Sequence, residues 1–373
     1  MIIGVPKEIK NCENRVSLIP SSVKTLVDND NIVYIEKNAG AKIGFSDQLY
    51  EQAGAKIVDT AAEVYEKAEV IVKVKELQKE EYSLLKNGQT IISYCHLSIE
   101  PELTEVLLKK KITTIAYETI QKEDGTLPLL KPMSEIAGLI SVQLASRFLQ
   151  NCNGGIGKLL GGFPGVHPAE IVIIGAGVVG QNAIRTALGV GASVTAMDIC
   201  PLKLTQVSNI FGNTVKTAIS NEYNLTKQIK KSDVVICAVR KDSDVKANII
   251  TEEMIKSMKK GSVIIDVSID EGGIVETISE ATDFNKPTFE KHGVIHCAIP
   301  NLPSCVGRSA AISLNNYILP YILKLSKKGF IAAVKATPEL YKGINTFQGK
   351  LTNENIANVL NKDYSELSML IGF

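Results

Sequence analysis

The sequence contains no tryptophan, only four histidines among 373 residues, and almost no net charge, with 41 lysines and arginines against 40 aspartates and glutamates. A chain without a net field does not attract polyanions or an anionic membrane surface, so no nucleic-acid partner is expected. No apolar run approaches the roughly 18 residues that span a bilayer, and the N-terminus lacks the basic segment of a signal peptide. We therefore predict a cytoplasmic protein with no membrane partner.

Closely spaced cysteine pairs are also lacking. The seven cysteines lie far apart, with no CxxC pair among them. An odd number at wide spacings favours reduced thiols over a disulfide framework or a zinc site. The histidines form no cluster with the spacing of metal ligands, so we expect no metal.

Short β-branched runs do alternate with amphipathic stretches through most of the chain, a pattern typical of α/β folds with parallel sheets. Two such blocks follow one another. Helices predicted over 134–149 and 309–328 bracket the second block, and the tail at 346–360 is expected to return to the first. We predict two Rossmann-like doubly wound domains, linked by long helices, with an active-site cleft between them. The predicted domains are a discontinuous substrate-binding domain of residues 1–130 plus 308–373 and an NAD-binding domain of residues 131–307.

The segment EIVIIGAGVVGQNAIRTALGVGASVTAMD carries a glycine-rich turn between an apolar strand and an amphipathic helix. Gly175 permits the tight turn, Gly177 lets the backbone approach a pyrophosphate, and Gly180 allows close helix packing. The helix that starts at Val178 and Val179 offers N–H groups to phosphates. The alternative, a turn without a ligand, is disfavoured by the complete strand-turn-helix-strand context.

An acid stands about 20 residues after this turn, where dinucleotide-binding folds place a partner for the adenosine ribose. That acid is Asp198. Because its carboxylate would repel a phosphate on the ribose, NAD is favoured over NADP, although the nearby Lys203 works against this preference.

Two candidates for acid/base chemistry follow apolar runs in the two blocks. His96 follows TIISYC, and Asp270 closes SVIIDVSID, with Asp266 as a rival that we place inside the strand. A histidine and a carboxylate on opposite sides of a nicotinamide are a suitable acid/base pair. Either residue alone is more often structural.

Two cations in the first block are candidates for binding a carboxylate. Arg15 interrupts an apolar stretch, and Lys75 ends VIVKVK, with Lys73 two residues earlier on the same strand face. Arginine binds a carboxylate through a two-pronged fork and lysine as a point charge. The alternative is a pair of solvated charges at an edge.

These residues belong to motifs spread over about 340 residues, in order and at matching spacing. They include GVPKEIKNCENRV, KVKE, CHLS, AYETIQKEDGTLPLLKPMSEIAG, LLGGFPGV, VIIGAGVVG, DVSIDEGG, NLP and KGINTFQGKLT. The chain resembles the alanine dehydrogenase and transhydrogenase α-subunit superfamily.

The resemblance implies NAD-linked, reversible oxidative deamination of L-alanine to pyruvate and ammonium, usually in a homohexamer. It implies that Arg15 and Lys75 bind substrate and that His96 and Asp270 are catalytic. The cofactor contacts that it implies are Ser134, Asp198, Lys203, Ser220, Val239, Val267, Ser268, Ile269, Asp270, Asn301 and Leu302. Alternatives are a related dehydrogenase or reductive aminase for another small amino or keto acid, a transhydrogenase α-subunit, and a non-catalytic NAD-binding regulator.

The chain departs from the family pattern mainly in two segments. Residues 240–250 read RKDSDVKANII where a Pro-Gly-Ala-Lys loop is common, and residues 304–310 read SCVGRSA where Gly-Ala-Val-Pro is preferred. Ser268 also stands where alanine is usual. These departures concern the cofactor loops and the substrate preference more than the fold.

Overall fold

The computed structural model describes residues 1–239 and 248–372. The chain divides into two compact units. The first comprises Met1–Met133 together with the C-terminal segment from Ser304 onward, and the second comprises Ser134–Pro303. The resulting arrangement is the α/β fold of two doubly wound units that the alternating pattern predicts.

The strands within the described residues are β1 (Ile2–Val5), β2 (Ile32–Glu36), β3 (Lys56–Val58), β4 (Val70–Val72), β5 (Thr90–Ser93), β6 (Thr113–Ala116), β7 (Glu170–Ile174), β8 (Ser193–Asp198), β9 (Val215–Ile219), β10 (Val234–Cys237), β11 (Val263–Asp266), β12 (Phe289–Lys291), β13 (Val294–Cys297), β14 (Ile344–Phe347) and β15 (Lys350–Leu351). The α-helices are α1 (Pro20–Val27), α2 (Asp47–Gln52), α3 (Ala61–Lys67), α4 (Pro101–Lys109), α5 (Lys131–Phe148), α6 (Val178–Gly189), α7 (Pro201–Phe211), α8 (Glu222–Ile229), α9 (Glu252–Lys256), α10 (Gly307–Lys328), α11 (Phe330–Lys335), α12 (Pro338–Lys342), α13 (Glu354–Leu360) and α14 (Leu367–Ile371). Short 3₁₀ helices cover Ala41–Ile43, Lys79–Leu84, Asn151–Asn153, Gly212–Thr214, Val267–Glu271 and Leu302–Val306.

The sheet of the first unit has the strand order β15-β14-β6-β5-β4-β1-β2-β3. Strands β1 to β6 pair in parallel, and β14 is antiparallel both to β6 and to β15. The predicted return of the tail is therefore confirmed, since β14 and β15 extend this sheet. Buried apolar side chains such as Ile71 and Ile91 fill the layer between sheet and helices.

The sheet of the second unit has the order β12-β13-β11-β10-β7-β8-β9, parallel except for the β12–β13 pair. In both units the chain starts in the middle of the sheet, builds one half outward, and crosses back to build the other half. The chain leaves neighbouring strands in opposite directions at this reversal, between β1 and β4 and between β7 and β10. Ligands of open α/β sheets bind at such a switch point.

The two long helices begin earlier than predicted. Helix α5 starts at Lys131 rather than Ser134, and α10 starts at Gly307 rather than Ser309. In α5 the second residue is Pro132, whose fixed φ favours the first turn of a helix and so moves the start upstream of the Ser-Glu pair.

Candidate active site

The switch point of the first unit lies after β1 and β4. The chain after β4 carries Lys73 and Lys75, and the chain after β1 carries Glu8. The backbone N–H of Val74 donates to Glu8 Oε1 over 2.6 Å. Glu8 therefore fixes the backbone immediately before Lys75, the predicted substrate-binding lysine, at the carboxyl edge of the sheet.

Arg15 is buried in the first unit, with 2% of its surface exposed, which rules out a solvated edge charge. Its Nε donates to Glu13 Oε1 over 2.7 Å, and its Nη2 donates to Glu13 Oε2. Its Nη1 donates to the thioether sulfur of Met133 over 3.2 Å. Burial opposes the charge of Arg15, but the Glu13 carboxylate outweighs burial and raises the arginine pKa. The guanidinium is thus a permanent, fixed cation.

The two lysines after β4 have different surroundings. Lys73 is fully buried, and its Nζ lies 2.9 Å from Glu81 Oε1 and 3.2 Å from Glu8 Oε2. The hydroxyl of Tyr65 also donates to Glu81 Oε1. Lys75 is only half-buried. The prediction that Lys73 and Lys75 share a strand face is wrong, because both residues follow β4, which ends at Val72. Lys73 is instead paired with Glu8 and Glu81.

His96 follows β5 in the left-handed region, with φ of +49°. Glu118, two residues after β6, accepts the N–H of His96 at 2.7 Å and the N–H of Cys95 at 3.1 Å. The imidazole stacks on Tyr94, with ring centres 6.2 Å apart.

Electrostatics keep His96 neutral. Burial, followed by the charge of Lys75, lowers the pKa of His96 to about 4, and Glu76 only partly offsets this. Glu76 is itself ion-paired with Lys10. At neutral pH the ring therefore has one nitrogen able to accept a proton, which a general base requires.

The glycine-rich turn of the second unit has the geometry expected of a phosphate cradle. Gly175 has φ of +103°, and a Cβ there would lie 2.3 Å from the carbonyl oxygen of Ala238, across the switch point. A Cβ on Gly180 would lie 1.8 Å from the carbonyl oxygen of Gly175. A Cβ on Gly177, the N-cap of α6, would meet nothing within 4 Å. The first and third glycines are needed by the fold, whereas the second borders open space.

Asp198 is the last residue of β8 and is tied to this turn. Its Oδ2 accepts the N–H of Ala176 over 2.8 Å, and its Oδ1 accepts the N–H of Cys200 over 2.9 Å. Lys203 Nζ lies 3.8 Å from Oδ2, and the N–H of Ser220 donates to the Asp198 carbonyl. Three predicted cofactor contacts, Asp198, Lys203 and Ser220, thus lie together at the end of β8.

The segment after β11 differs from its prediction. Asp266 is the last residue of β11 rather than an interior one, and it accepts the N–H groups of Ser268 and Ile274. Asp270 lies beyond the strand, exposed on a 3₁₀ helix. Both of its carboxylate oxygens accept the N–H of Asn301, at 3.1 and 3.2 Å. The strand ends early because the Asp266 side chain caps the turn.

The remaining predicted contacts also belong to the second unit. The N–H of Val239, just past β10, donates to Ser268 Oγ over 3.1 Å. Leu302 starts a 3₁₀ helix and is 3% exposed. The half-buried ones are Ser134 on α5, Val179 on α6, and Val267 and Ile269 after β11, while Val178 is exposed.

Comparison with known proteins decides the family. Residues 4–137 match the family description "Alanine dehydrogenase/PNT, N-terminal domain", and residues 141–354 match "Alanine dehydrogenase/PNT, C-terminal domain". The chain belongs to the alanine dehydrogenase/PNT family. It is 49% identical over 365 residues to an alanine dehydrogenase of Methanococcus maripaludis, covering 98% of each chain.

Two solved structures of this family are similar in fold. An L-alanine dehydrogenase matches with a TM-score of 0.93 and 43% identity, covering 97% of this chain and 99% of that one. A transhydrogenase from Sinorhizobium meliloti matches with a TM-score of 0.80 and 27% identity, covering 95% of this chain and 100% of that one. The resemblance and the fold class predicted from the sequence are confirmed.

The predicted site residues are divided between the two units. Arg15, Lys75 and His96 belong to the first unit, whereas Asp270 and every predicted cofactor contact belong to the second. The pairing of His96 with Asp270 therefore stays a prediction. Of the departing segment 240–250, residues 240–247 lie outside the described residues.

Sequence reasoning missed the acids that hold the site cations and the histidine turn. Glu13 lies two residues before Arg15, and Glu118 lies two residues after the end of β6. Glu118 follows a strand end at the carboxyl edge of the sheet, where the other candidate residues lie. This position is a signal that could have identified it.

Within 1–239 and 248–372 there is no group of three or more His, Cys, Asp or Glu side chains that could hold a metal ion. Over the same ranges, no helix is both long and apolar enough to cross a membrane.

Proposed function

We propose that this chain catalyses the NAD-dependent, reversible oxidative deamination of L-alanine to pyruvate and ammonium. The observation that carries the proposal is the neutral His96 beside Lys75, at the edge of a unit that also holds the buried cation Arg15. Relatives named alanine dehydrogenase that span nearly the whole chain support the same reaction.

The second unit fits a dinucleotide. The open space over Gly177, at the start of α6, leaves room for a pyrophosphate against backbone N–H groups. The carboxylate of Asp198 suits ribose hydroxyls and disfavours a ribose phosphate, which supports NAD over NADP. When bound, the nicotinamide supplies the hydride acceptor.

In this proposal the polar side chains of the two units bind the substrate and transfer protons. Arg15 and Lys75 bind the substrate carboxylate and so orient the Cα hydrogen for transfer. Water attacks the resulting iminium carbon, with Asp270 positioning the water and accepting a proton as the carbinolamine forms. His96 hydrogen-bonds the developing oxygen and moves protons as the carbinolamine collapses to pyruvate and ammonium.

The family resemblance further supports a cytoplasmic homohexamer with only small-molecule substrates as ligands. Light scattering of the purified protein measures the assembly directly, and a mass other than six subunits would remove that part of the proposal.

The test is oxidation of NADH with ammonium and a panel of keto acids. Pyruvate should give the highest kcat/KM, and NADH should be preferred to NADPH. Turnover with a different keto acid but not with pyruvate would replace the alanine assignment by a related dehydrogenase. NADH binding without turnover on any acid would favour a regulator.

Substitutions test the assigned roles. His96→Ala and Asp270→Asn should each lower kcat by at least about 100-fold while NADH still binds. His292→Ala is the matched control, because His292 pairs with Glu252 on the surface of the second unit. Normal turnover in either the His96 or the Asp270 variant would remove that residue from the mechanism.

A further inference from the structure

A groove of about 590 Å³ lies in the first unit, against one of the segments that depart from the family pattern. The SCVGRSA segment forms one wall, and the turn around Lys42 forms the other. Its polar lining comprises Asn14, Lys42, Ser304, Cys305, Arg308 and Ser309. Among the described residues that line it, none is an aspartate or a glutamate.

Neither cation of this groove has a carboxylate partner among the residues that the structure describes. Arg308 Nη1 donates to the carbonyl oxygen of Ile43 over 2.8 Å, and its guanidinium carbon lies 4.4 Å from the centre of the Phe45 ring. Within the described part of the chain, neither Arg308 nor Lys42 makes an ion pair. The groove therefore presents two positive charges, one of them held in place by its backbone and ring contacts.

The wall of the groove also contains the buried hydroxyl of Ser304. The residue is 1% exposed, and its Oγ has no hydrogen-bond partner among the residues described. Buried hydroxyls are usually hydrogen-bonded, so the Ser304 hydroxyl is available to a phosphate oxygen or a water molecule as its partner. Three residues later α10 begins, without a side-chain cap, and its N-terminus adds partial positive charge on the same side.

We propose that this groove binds the phosphate group of a small molecule. A phosphate carries about −1.5 to −2 charge at neutral pH, which matches the two cations, whereas a carboxylate would leave one cation unpaired. The guanidinium fork suits phosphate oxygens. The volume falls in the range of roughly 300–1,000 Å³ found for small-molecule sites, so an organic phosphate fits as well as the free ion. This inference goes beyond the proposed function and does not depend on it.

The experiment is isothermal titration calorimetry of inorganic phosphate and of ribose 5-phosphate into the full-length protein. Saturating NADH is present so that the glycine-rich turn is occupied, and KCl holds the ionic strength constant. NADH binding is measured first, so a failure of the dinucleotide site is seen separately. The variants are Lys42→Gln, Ser304→Ala and Lys67→Gln, the last removing an exposed lysine at the end of α3, outside the groove.

Lys42→Gln should weaken phosphate binding by about tenfold. Ser304→Ala should also weaken phosphate binding, but without lowering the melting temperature, because the hydroxyl has no hydrogen bond to lose among the described residues. Lys67→Gln should bind as the wild type does. Tighter binding of ribose 5-phosphate than of phosphate identifies an organic phosphate, and equal binding identifies the free ion. Absence of heat with both probes, or equal affinity in Lys42→Gln and Lys67→Gln, overturns the proposal.

Discussion

The two units share one order of parallel strands but carry different kinds of residues at their switch points. In the second unit the chain between β7 and α6 provides glycines, backbone N–H groups and open space. In the first unit the same topological position holds buried ion pairs, with Arg15 on Glu13 and Lys73 between Glu8 and Glu81. One topology thus supports either a backbone cradle or a set of fixed side-chain charges.

The difference follows from what each ligand needs. A pyrophosphate is bound well by helix N-terminal N–H groups, for which close approach is the main requirement. A small carboxylate substrate must instead be oriented by directed charges. Because such charges are costly to bury alone, the buried Arg15 and Lys73 are each paired with an acid that keeps them ionised. We therefore expect substitutions of acids to lower stability or activity most in the first unit. Substitutions of glycines should have their largest effects in the second unit.

The largest effect is expected from breaking the ion pair of the first unit. Glu13→Gln removes the carboxylate that pairs with the buried guanidinium of Arg15, so the free energy of unfolding should fall by about 3 kcal/mol, as measured by urea denaturation. The double variant Glu13→Gln/Arg15→Met should recover much of this loss, since neither charge remains. A single variant as stable as the wild type would show that the pair contributes no stability.

The glycines of the second unit should respond in two separate ways. Gly180→Ala forces the turn to move, because the new Cβ would lie 1.8 Å from a backbone oxygen, and should cost about 1–3 kcal/mol of stability as well as NADH affinity. Gly177→Ala meets nothing within 4 Å and has φ of −76°, so it should keep its stability.

Gly177→Ala should nevertheless weaken NADH binding by at least about tenfold, because the methyl group occupies the approach of the pyrophosphate. Fluorescence titration with NADH and thermal unfolding measure the two properties. If Gly177→Ala binds NADH normally, the open space over α6 is not the phosphate site.

The contrast between the units also explains what could be predicted from sequence. The glycine turn and Asp198 were identifiable because a backbone cradle needs glycines at fixed spacing within one continuous segment. The alternation of strands and helices likewise predicted both sheets. Arg15 and Lys75 could be proposed as substrate cations from sequence, but not separated from solvated charges without burial.

Two contacts of the first unit could not be predicted, because each joins residues from different strand ends. Glu8 reaches Lys73 across 65 residues, and Glu118 reaches His96 across 22. Strand order determines such contacts, and neither pair forms a local motif. The position of Asp270 was misjudged for the opposite reason: a local event, the capping of the turn by Asp266, ended the strand early.

Glu118 allows a smaller and more specific test of the first unit. Glu118→Gln replaces one acceptor of the Cys95 and His96 N–H groups by an amide donor, with a loss on the order of 1.5 kcal/mol. If the carboxylate positions His96, kcat should fall by about tenfold while KM for NADH is unchanged. Glu123→Gln, an exposed acid in the loop after β6, is the control, and equal kcat values in the two variants would make Glu118 purely structural.

The smallest expected effect is the pH dependence that His96 gives to stability. Its pKa is about 4 in the folded chain and about 6.5 when unfolded, so only the unfolded chain gains a proton in that window. Stability should therefore fall as pH drops from 6.5 towards 4, by about 1.4 kcal/mol near pH 5.5. His96→Gln should lack this contribution, whereas the buried His296, whose pKa burial also lowers to about 4, is unchanged in both proteins and cancels. Parallel stability profiles for wild type and variant would show that burial and Lys75 do not lower the pKa of His96.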